Sequence, residues 1–506
     1  MLATADTGTS THRFRFTIQE TTAMTTHTWF TLSAAAVLSA TPAPAQTAQV
    51  AQGSAARDTT QVVREATPTP ARPADSTAAP AAAKRATSLL VPQTQIQRLR
   101  PNDQRGINVF EAPKEDAVPF AGFQLGFGAA FTQQFQGLGH SNSAEAVMKT
   151  TSAGQPYNAN ELIRIGHGAN NAVANGYLNA QLAPGIRVAL TAYLSARHHN
   201  ETWVKDGYLL VDESPLDVGP LAALMRYTTV KAGHFEVNYG DAHFRRTDNG
   251  QAMFNPLVGN YLLDAFTTSV GAEVMVRPRG RAAGLFLMGG ATNGEVRGTI
   301  LNPAKRSPAF LAKAGVDRQL TRDLRVRLSA SAFNQASSAN QTLFTGDRAG
   351  SRYYDVLENT QSTEKDQAWS GAVNPGLSSE MHAAVVNPFL KYRGLELFGN
   401  FERARGRAAG EAAQREWRQS VVEGTYRFLG DRLYASARYN AVAGRPAGLA
   451  EDVSVDRAQF GGGWFITPVV LVKGEYVTQE YADFPTTDIR SGGKFDGFMI
   501  EGVVAF

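Results

Sequence analysis

The chain of 506 residues is long enough for two or three soluble domains or for one large barrel. Its mean hydropathy is −0.24 and no long apolar run follows the N-terminal region, which argues against membrane-spanning helices but not against membrane strands. The chain has no cysteine, which excludes disulfides and thiolate metal sites. Its formal net charge of +4, with both signs scattered, gives no sign of a nucleic-acid interface.

The N-terminal region has the pattern of an export signal. TWFTLSAAAVLSATPAPAQ (residues 28–46) combines an apolar core of small residues with Ala43-Pro44-Ala45, an A-x-A cleavage pattern. Residues 1–45 are therefore predicted to be a signal-peptide region cleaved after Ala45, with translation starting at Met1 or at Met24. The alternative is a disordered tail rich in alanine.

Residues 46–119 are predicted to be a disordered periplasmic segment. The part at 46–86 is rich in Ala, Thr, Pro and Gln and shows no periodicity, so it cannot bury enough apolar area to become ordered. Residues 88–118 carry more apolar side chains, which is compatible with docking at a place that the sequence does not identify.

From Phe120 onward, short stretches alternate between apolar and polar residues. FQLGFGAAFTQQF (123–135) and LRVRLSASAF (324–333) are examples of this two-residue period, which is typical of strands with one apolar face. The pattern predicts about sixteen strands. They are placed at 120–136, 173–183, 186–199, 203–211, 222–239, 264–277, 282–292, 309–320, 323–335, 382–393, 395–403, 416–429, 431–443, 455–466, 469–480 and 496–506.

Two observations favour a membrane barrel over a soluble β-sandwich. The apolar faces are rich in Ala, Gly, Leu and Val with aromatic residues towards strand ends, as in a lipid-facing band. The connections also alternate between tight turns and long polar segments such as 138–172 and 337–380. The predicted fold is all-β: a porin-like transmembrane antiparallel β-barrel over 120–506. Both termini are expected on the periplasmic, short-turn side of the outer membrane of a Gram-negative-type bacterium.

The chain ends in FMIEGVVAF (498–506), a strand pattern that continues to the last residue. Pairing of this strand with 120–136 would close the barrel and remove both exposed edges. The terminal Phe506 also resembles the signal by which outer-membrane barrels are recognised for insertion, so we predict barrel-assembly machinery as a partner, together with outer-membrane lipid.

The third long connection, 240–263, is predicted to be the pore constriction. Its apolar residues, among them Phe254 and Leu257, would anchor the loop on the inner wall while Arg245 and Arg246 face water. His243 and Asp248 belong to the same candidate site. The alternative is a surface loop with a local hydrophobic patch.

Inward-facing charges follow from the alternation, and the basic ones outnumber the acidic ones. A polar pore with this balance would weakly prefer anions. The other interpretation is that many of these charges pair across strands and stabilise the wall. The main predicted lumen-facing residues are Arg187, Arg197, Arg325, Arg327, Arg438 and Lys473.

The stretch TTVKAGHFEVNYGDAHFRR (228–246) resembles the G-[RH]-F-x-x-x-x-G motif of the phosphate-selective porin O and P family, which leads from a strand into the constriction loop. The matching positions are Gly233, His234, Phe235 and Gly240. The family often has proline where this chain has Asn238, and its lysine-rich ladder is replaced by dispersed arginines. The resemblance therefore implies a porin more firmly than it implies phosphate, and it also implies a homotrimer.

No residue pattern points to catalysis, a metal site or a cofactor. No H-E-x-x-H or similar zinc motif is present, and the adjacent His198 and His199 would point to opposite faces of a strand. The predicted function is passive diffusion of small hydrophilic solutes, weakly favouring anions, with phosphate as one candidate solute. The alternative is a structural or adhesion barrel with an occluded lumen whose loops bind partners. A secreted soluble β-protein is the third class considered.

Overall fold

The structure is a computed structural model that describes residues 96–112, 114, 118–195, 201–293, 306–346, 352–363 and 370–506. These residues belong to the compact unit Lys84–Phe506, one of two units in the chain. The signal-peptide region 1–45, most of the predicted linker and the candidate lumen residue Arg197 lie outside the described residues.

The described chain forms one large antiparallel sheet that closes on itself. This sheet has seventeen strands, of which β4 is a two-residue addition beside β1 and the other sixteen are long. Strands β2 and β3 form a separate small hairpin, and the remaining strands follow one another along the chain. In chain order, the strands are β1 (Gln124–Ser141), β2 (Met148–Thr150), β3 (Pro156–Asn158), β4 (Gly168–Ala169), β5 (Val173–Ala183), β6 (Ile186–Ser195), β7 (Glu201–Val211), β8 (Thr228–Glu236), β9 (Thr268–Val276), β10 (Leu285–Thr292), β11 (Ala309–Gln319), β12 (Leu324–Gln335), β13 (Glu380–Tyr392), β14 (Leu395–Arg407), β15 (Arg415–Phe428), β16 (Leu433–Gly444), β17 (Val453–Thr467), β18 (Val470–Ala482) and β19 (Lys494–Ala505).

The predicted barrel of about sixteen strands is therefore confirmed, and each predicted strand has a counterpart in the structure. Each long strand pairs with the next one along the chain, and β19 pairs with β1 from Ala130↔Ala505 to Ser141↔Lys494. At the end of this seam, the Phe506 N–H donates to the Ala129 carbonyl at 2.9 Å and the Ala129 N–H donates back at 3.0 Å. The terminal strand thus supplies the partner that the first strand needs.

One predicted strand is partly wrong. The stretch 222–239 begins inside a short helix, α1 (Gly219–Met225), and its strand β8 starts only at Thr228. Pro220 stands in the first helical turn, where its missing N–H costs nothing, and Leu, Ala and Met favour helix. The prediction differs from the structure here because periodicity alone cannot separate short helices from short strands. Among the described residues, no helix is both long and apolar enough to cross a membrane.

The barrel is polar inside and apolar outside, the reverse of a soluble protein. On β12, Leu328 is 47% exposed on the outer face, whereas its neighbour Arg327 is 2% exposed on the inner face. Aromatic residues ring the outer rim near the short turns, including Tyr392, Tyr426 and Trp464, each 46–57% exposed. A closed barrel with an apolar exterior and an aromatic girdle is a membrane-spanning structure.

The connections differ in length between the two ends of the barrel, as predicted. Arg393-Gly394 joins β13 to β14 at one end, which we call the short-turn end. At the long-loop end, residues 142–172, 237–267 and 336–379 form the longest connections. Chain direction places the end of β19 at the short-turn end.

Residues 96–112, in contrast to the predicted disorder of 46–119, are packed in the short-turn mouth of the barrel. The Gln104 N–H donates to the carbonyl of Pro468 in the β17–β18 turn at 2.9 Å, and the Asn108 amide donates to Glu396 of β14 at 2.6 Å. Phe110 is 2% exposed between loop and wall aromatics. We call residues 96–112 the mouth segment; its apolar residues pack against the barrel wall and the connection 237–267.

Candidate functional site

The connection 237–267, which we call the constriction loop after its predicted role, does not project outward but folds into the barrel. Glu475 of β18 accepts hydrogen bonds from the backbone N–H groups of Val258 at 2.7 Å and Gly259 at 3.1 Å. Lys473, from the same strand, donates to three loop carbonyls, including that of Leu257 at 2.8 Å. These contacts attach the loop to the inner wall, as the prediction for 240–263 requires; its role as a constriction stays a prediction.

Apolar side chains fill the space behind this loop. Val258, Leu262 and Leu263 are at most 1% exposed and join a cluster with Leu343 and Tyr353 from the connection 336–379. The Tyr353 hydroxyl also donates to Glu475 at 2.6 Å. Two inward-folded loops therefore cover the wall formed by the later strands of the barrel.

Arg245 and Arg246 are not exposed to water, so that part of the constriction prediction is wrong. Both are 2% exposed. Arg245 donates to Glu423 at 2.7 Å, whereas Arg246 makes two hydrogen bonds to Asp264, at 2.8 and 2.6 Å. Burial lowers the pKa of Arg245, but the neighbouring carboxylates outweigh it and the net pKa is raised. These guanidinium groups fasten the loop rather than facing the solvent.

His243 and Asp248, the other two predicted constriction residues, border an open cavity. The Asp248 carboxylate accepts a hydrogen bond from Lys205 at 2.8 Å. His243 Nδ1 lies 3.0 Å from a carboxylate oxygen of Glu236. Burial lowers the pKa of His243, and the carboxylate only partly offsets this effect.

The predicted lumen-facing residues within the described chain lie on the inner wall, and most of them are ion-paired. Arg438 contacts Glu423 at 2.6 Å, and Lys473 contacts Glu501 at 2.7 Å, with both partners in each pair fully buried. Arg327 binds Asp241 of the constriction loop through two hydrogen bonds. Arg325 pairs with Asp317 at 2.6 Å. For this group, the interpretation that wall charges pair with one another fits the geometry better than a ring of free charge.

The cavity has a volume of about 290 Å³ and lies on the side of the barrel opposite the loop-covered wall. It is bounded by the inner wall of β5–β9, the mouth segment and the constriction loop. It reaches from Thr229 and Arg277 near the short-turn end to Asp248 and Gln251 in the loop. Its lining holds equal numbers of basic and acidic side chains. The basic ones are Arg100, Arg187, Lys205, Lys231, Arg246 and Arg277, and the acidic ones are Glu111, Asp206, Asp212, Glu236, Asp248 and Glu273.

The acidic and the basic side chains of the lining differ in how many of them form salt bridges. Each of the six carboxylates forms a salt bridge, for example Glu236 with Lys205 at 2.5 Å and Glu273 with Lys231 at 3.1 Å. Within the described chain, no salt bridge of 4.0 Å or less involves Arg100, Arg187 or Arg277. Burial lowers the pKa of Arg100 to about 9, so this guanidinium still carries its charge at neutral pH. The charged lining residues that form no salt bridge within the described chain are therefore all basic, although the formal charges of the lining balance.

Alternation alone misses several of these lining residues. A β-bulge between β6 and β7 pairs Thr191 with Asp206 and Ala192 with Val204, leaving Lys205 without an opposite residue. Lys205 and Asp206 are consecutive, yet both line the cavity, which a strict two-residue period forbids. Arg100 and Glu111 were missed because they arrive on the mouth segment, which shows no strand pattern.

No protein-family model and no curated protein sequence matches the chain. Among solved structures, the chain is similar to an anion-selective porin from Comamonas acidovorans (TM-score 0.44, 10% identity, 76% of this chain and 99% of that one). It is also similar to the outer membrane channel DcaP of Acinetobacter baumannii (TM-score 0.45, 11% identity, 76% and 98%). A third is the trimer form of OmpT, an outer membrane protein of Vibrio cholerae (TM-score 0.42, 10% identity, 76% and 100%).

Proposed function

We propose that the protein is an outer-membrane porin for passive diffusion of small hydrophilic solutes, and that it weakly prefers anions. The observation that carries this proposal is the charged cavity along β5–β9, on the side of the barrel where the inward-folded loops do not cover the wall. Arg100, Arg187 and Arg277 support the anion preference, because they line the cavity and form no salt bridge with its carboxylates. Inorganic phosphate is one candidate solute, by the resemblance of the 228–246 motif.

The test is conductance of the purified, folded protein in planar bilayers with a salt gradient. We expect an ion current, and we expect its reversal potential to be displaced from zero towards the equilibrium potential of the anion. Absence of current from protein that is folded, as judged by its different gel mobility before and after boiling, would contradict the proposal. A reversal potential on the cation side would contradict the anion preference alone.

Arg277→Ala tests which charges set the selectivity. A unit charge about 8 Å from the ion path in water stabilises an anion and destabilises a cation by about 0.5 kcal/mol each, so removing it should lower the anion-to-cation permeability ratio roughly five-fold. Arg322→Ala, in the exposed turn between β11 and β12, is the matched control and should leave the ratio unchanged. An equal change in both variants would exclude Arg277 from the selective path.

A second candidate function is a structural or adhesion barrel with an occluded lumen. The observation that favours it is the complete burial of Arg246 and its neighbours inside the barrel, together with the mouth segment across the short-turn end. The bilayer measurement separates the two, since the occluded barrel passes no current even when it is folded.

The proposal also includes an exported chain in the outer membrane, inserted with the help of barrel-assembly machinery that recognises Phe506, and a homotrimeric assembly. Diffusion needs no catalytic residue, metal or cofactor, so we propose that the protein is not an enzyme.

Deleting Phe506 should reduce the yield of inserted barrel far more than the conductance of those barrels that form. Chemical cross-linking in detergent would test the trimer.

A further inference from the structure

The outer surface of the barrel carries a cluster of arginines on β14 and β15 close to the long-loop end. Arg403, Arg405 and Arg407 follow one another on the outer face of β14, and Arg418 lies on β15 directly opposite Arg403. The side chains of Arg403 and Arg418 are 57% and 71% exposed. Charged residues are unfavourable on a lipid-facing surface unless they reach the membrane interface. The presence of four arginines on this outer face therefore has to be explained.

The cluster is not neutralised by its own carboxylates. Glu416 is shared by three guanidinium groups: Arg403 at 2.5 Å, Arg418 at 2.6 Å and Arg405 at 3.4 Å. Glu380 pairs with Arg407 at 2.7 Å. Four arginines therefore face two carboxylates. Like charges directly opposite each other on adjacent strands are destabilising, so an additional anion between Arg403 and Arg418 would relieve repulsion.

The height of the cluster matches the level of lipid headgroups. Arg403 lies eight residues beyond Leu395, the start of β14. That distance is about 26 Å along the strand and about 20 Å across the membrane at a tilt near 40°. Since the apolar band of such barrels is about 25 Å tall, residues 403–407 lie at its outer edge. Phe401, the preceding outward residue, is 46% exposed and still belongs to the band.

A depression of about 380 Å³ lies on the wall beside these arginines. Small outward residues, Ala330, Ala384 and Ser420, form its floor, and Phe401 borders it. Arg403 and Arg418 also line it. An apolar trough that ends at guanidinium groups fits a molecule with a hydrocarbon chain and an anionic head.

The outer face of β16–β19 has the opposite character near the same rim. There the Tyr439 hydroxyl donates to Asp456 at 2.9 Å, and the Tyr476 hydroxyl donates to Asp496 at 3.3 Å. The arginine cluster is thus a local feature of β14 and β15 rather than a general property of the rim.

We propose that this face binds a phosphate-bearing lipid of the outer leaflet. The phosphate lies between Arg403 and Arg418, with Arg405 next to it, and an acyl chain occupies the depression beside Phe401. Guanidinium groups bind phosphate through paired hydrogen bonds, and a basic side chain near a lipid surface contributes about 1 kcal/mol. This site is independent of the lumen and of ion conduction.

Native mass spectrometry of the folded, full-length barrel in detergent tests the proposal, with bis-phosphorylated lipid A as the probe. Wild-type protein should retain the phosphorylated probe and bind dephosphorylated lipid A much more weakly. Two lost contacts of about 1 kcal/mol each predict roughly 30-fold weaker binding to the variant Arg403→Ala/Arg418→Ala. Arg393→Ala, whose exposed side chain lies at the short-turn end, is the matched control and should bind normally.

Equal binding of the phosphorylated and dephosphorylated probes by wild-type protein would overturn the proposal, whatever the variants do. Unchanged binding by the folded double variant would also overturn it. If the double substitution instead changes the oligomeric state and leaves lipid binding intact, the face is an interface between copies of the chain. Arg403→Lys/Arg418→Lys, which keeps the charge but not the paired geometry, should retain intermediate affinity.

Discussion

The two sides of the barrel wall carry the same kinds of charged residue in different surroundings. Along β14–β19, loops cover the inner wall, and pairs such as Arg438–Glu423 and Lys473–Glu501 are sealed from water. Along β5–β9 the wall borders a cavity, and pairs such as Lys231–Glu273 retain partial exposure. We call these the covered side and the open side.

The difference teaches that inward orientation alone does not make a charge part of a pore. An ion pair under a loop is desolvated, so each partner depends strongly on the other. An ion pair beside a water-accessible cavity is screened and contributes less to stability, but it remains available to passing solutes. Loop coverage, rather than residue type, separates the buried charges of this barrel from those that border the cavity.

The largest expected effect comes from the same substitution made on each side. Glu423→Gln leaves the buried guanidinium groups of Arg245 and Arg438 without their shared carboxylate, and the free energy of unfolding should fall by about 4 kcal/mol. Glu273→Gln on the open side should cost about 1 kcal/mol. Urea unfolding in detergent, followed by tryptophan fluorescence, measures both. Similar losses would mean that the two sides do not differ in burial.

The mouth segment offers the next test, because its residues line the cavity of the open side. Phe110 packs against Phe389 and Phe244, with ring centroids 5.3 and 5.9 Å away. Phe110→Ala should weaken docking of the segment by about 3 kcal/mol and raise single-channel conductance while the barrel stays folded. Phe123→Ala, on the exposed outer face, is the control. Unchanged conductance in the Phe110 variant would show that the segment does not restrict flow.

A smaller effect should follow from Lys473→Met on the covered side. The substitution removes three hydrogen bonds to carbonyls of the constriction loop, and Glu501 keeps only a hydrogen bond from Gln134 and a contact with Arg352. We expect a loss of about 2 kcal/mol and additional flicker in single-channel recordings as the loop moves.

Lys231→Met on the open side is the control for that experiment. It removes a salt bridge but no loop attachment, so steady currents with altered selectivity are expected. Flicker of equal strength in both variants would mean that Lys473 does not hold the loop in place.

Much of the fold could be predicted because membrane strands obey a strict rule. Every second residue faces lipid, so stretches such as LRVRLSASAF reveal strand, face and approximate bounds together. The rule failed where it does not apply: at α1, whose apolar run is helical, and at the bulge that turns Lys205 inward beside Asp206. The alternation rule also gives no information about the mouth segment, because that segment is not a strand and its order depends on contacts with the barrel.

The candidate site was only partly predictable for a related reason. The sequence indicated that 240–263 carries anchoring apolar residues, and the structure places that loop inside the barrel. Sequence could not reveal that Glu423 and Asp264 lie within reach of Arg245 and Arg246, since one of these partners is 178 residues away. The buried arginines were therefore mistaken for solvent-facing ones.

The sequence by itself determined the number of strands, their alternation, the unequal connections and the terminal strand that closes the seam, because these depend on local periodicity and chain order. Tertiary structure decided which wall is covered, which charges are paired and where the cavity remains. Those properties depend on contacts between residues far apart in the chain, and on the space left after the loops and the mouth segment have folded inward.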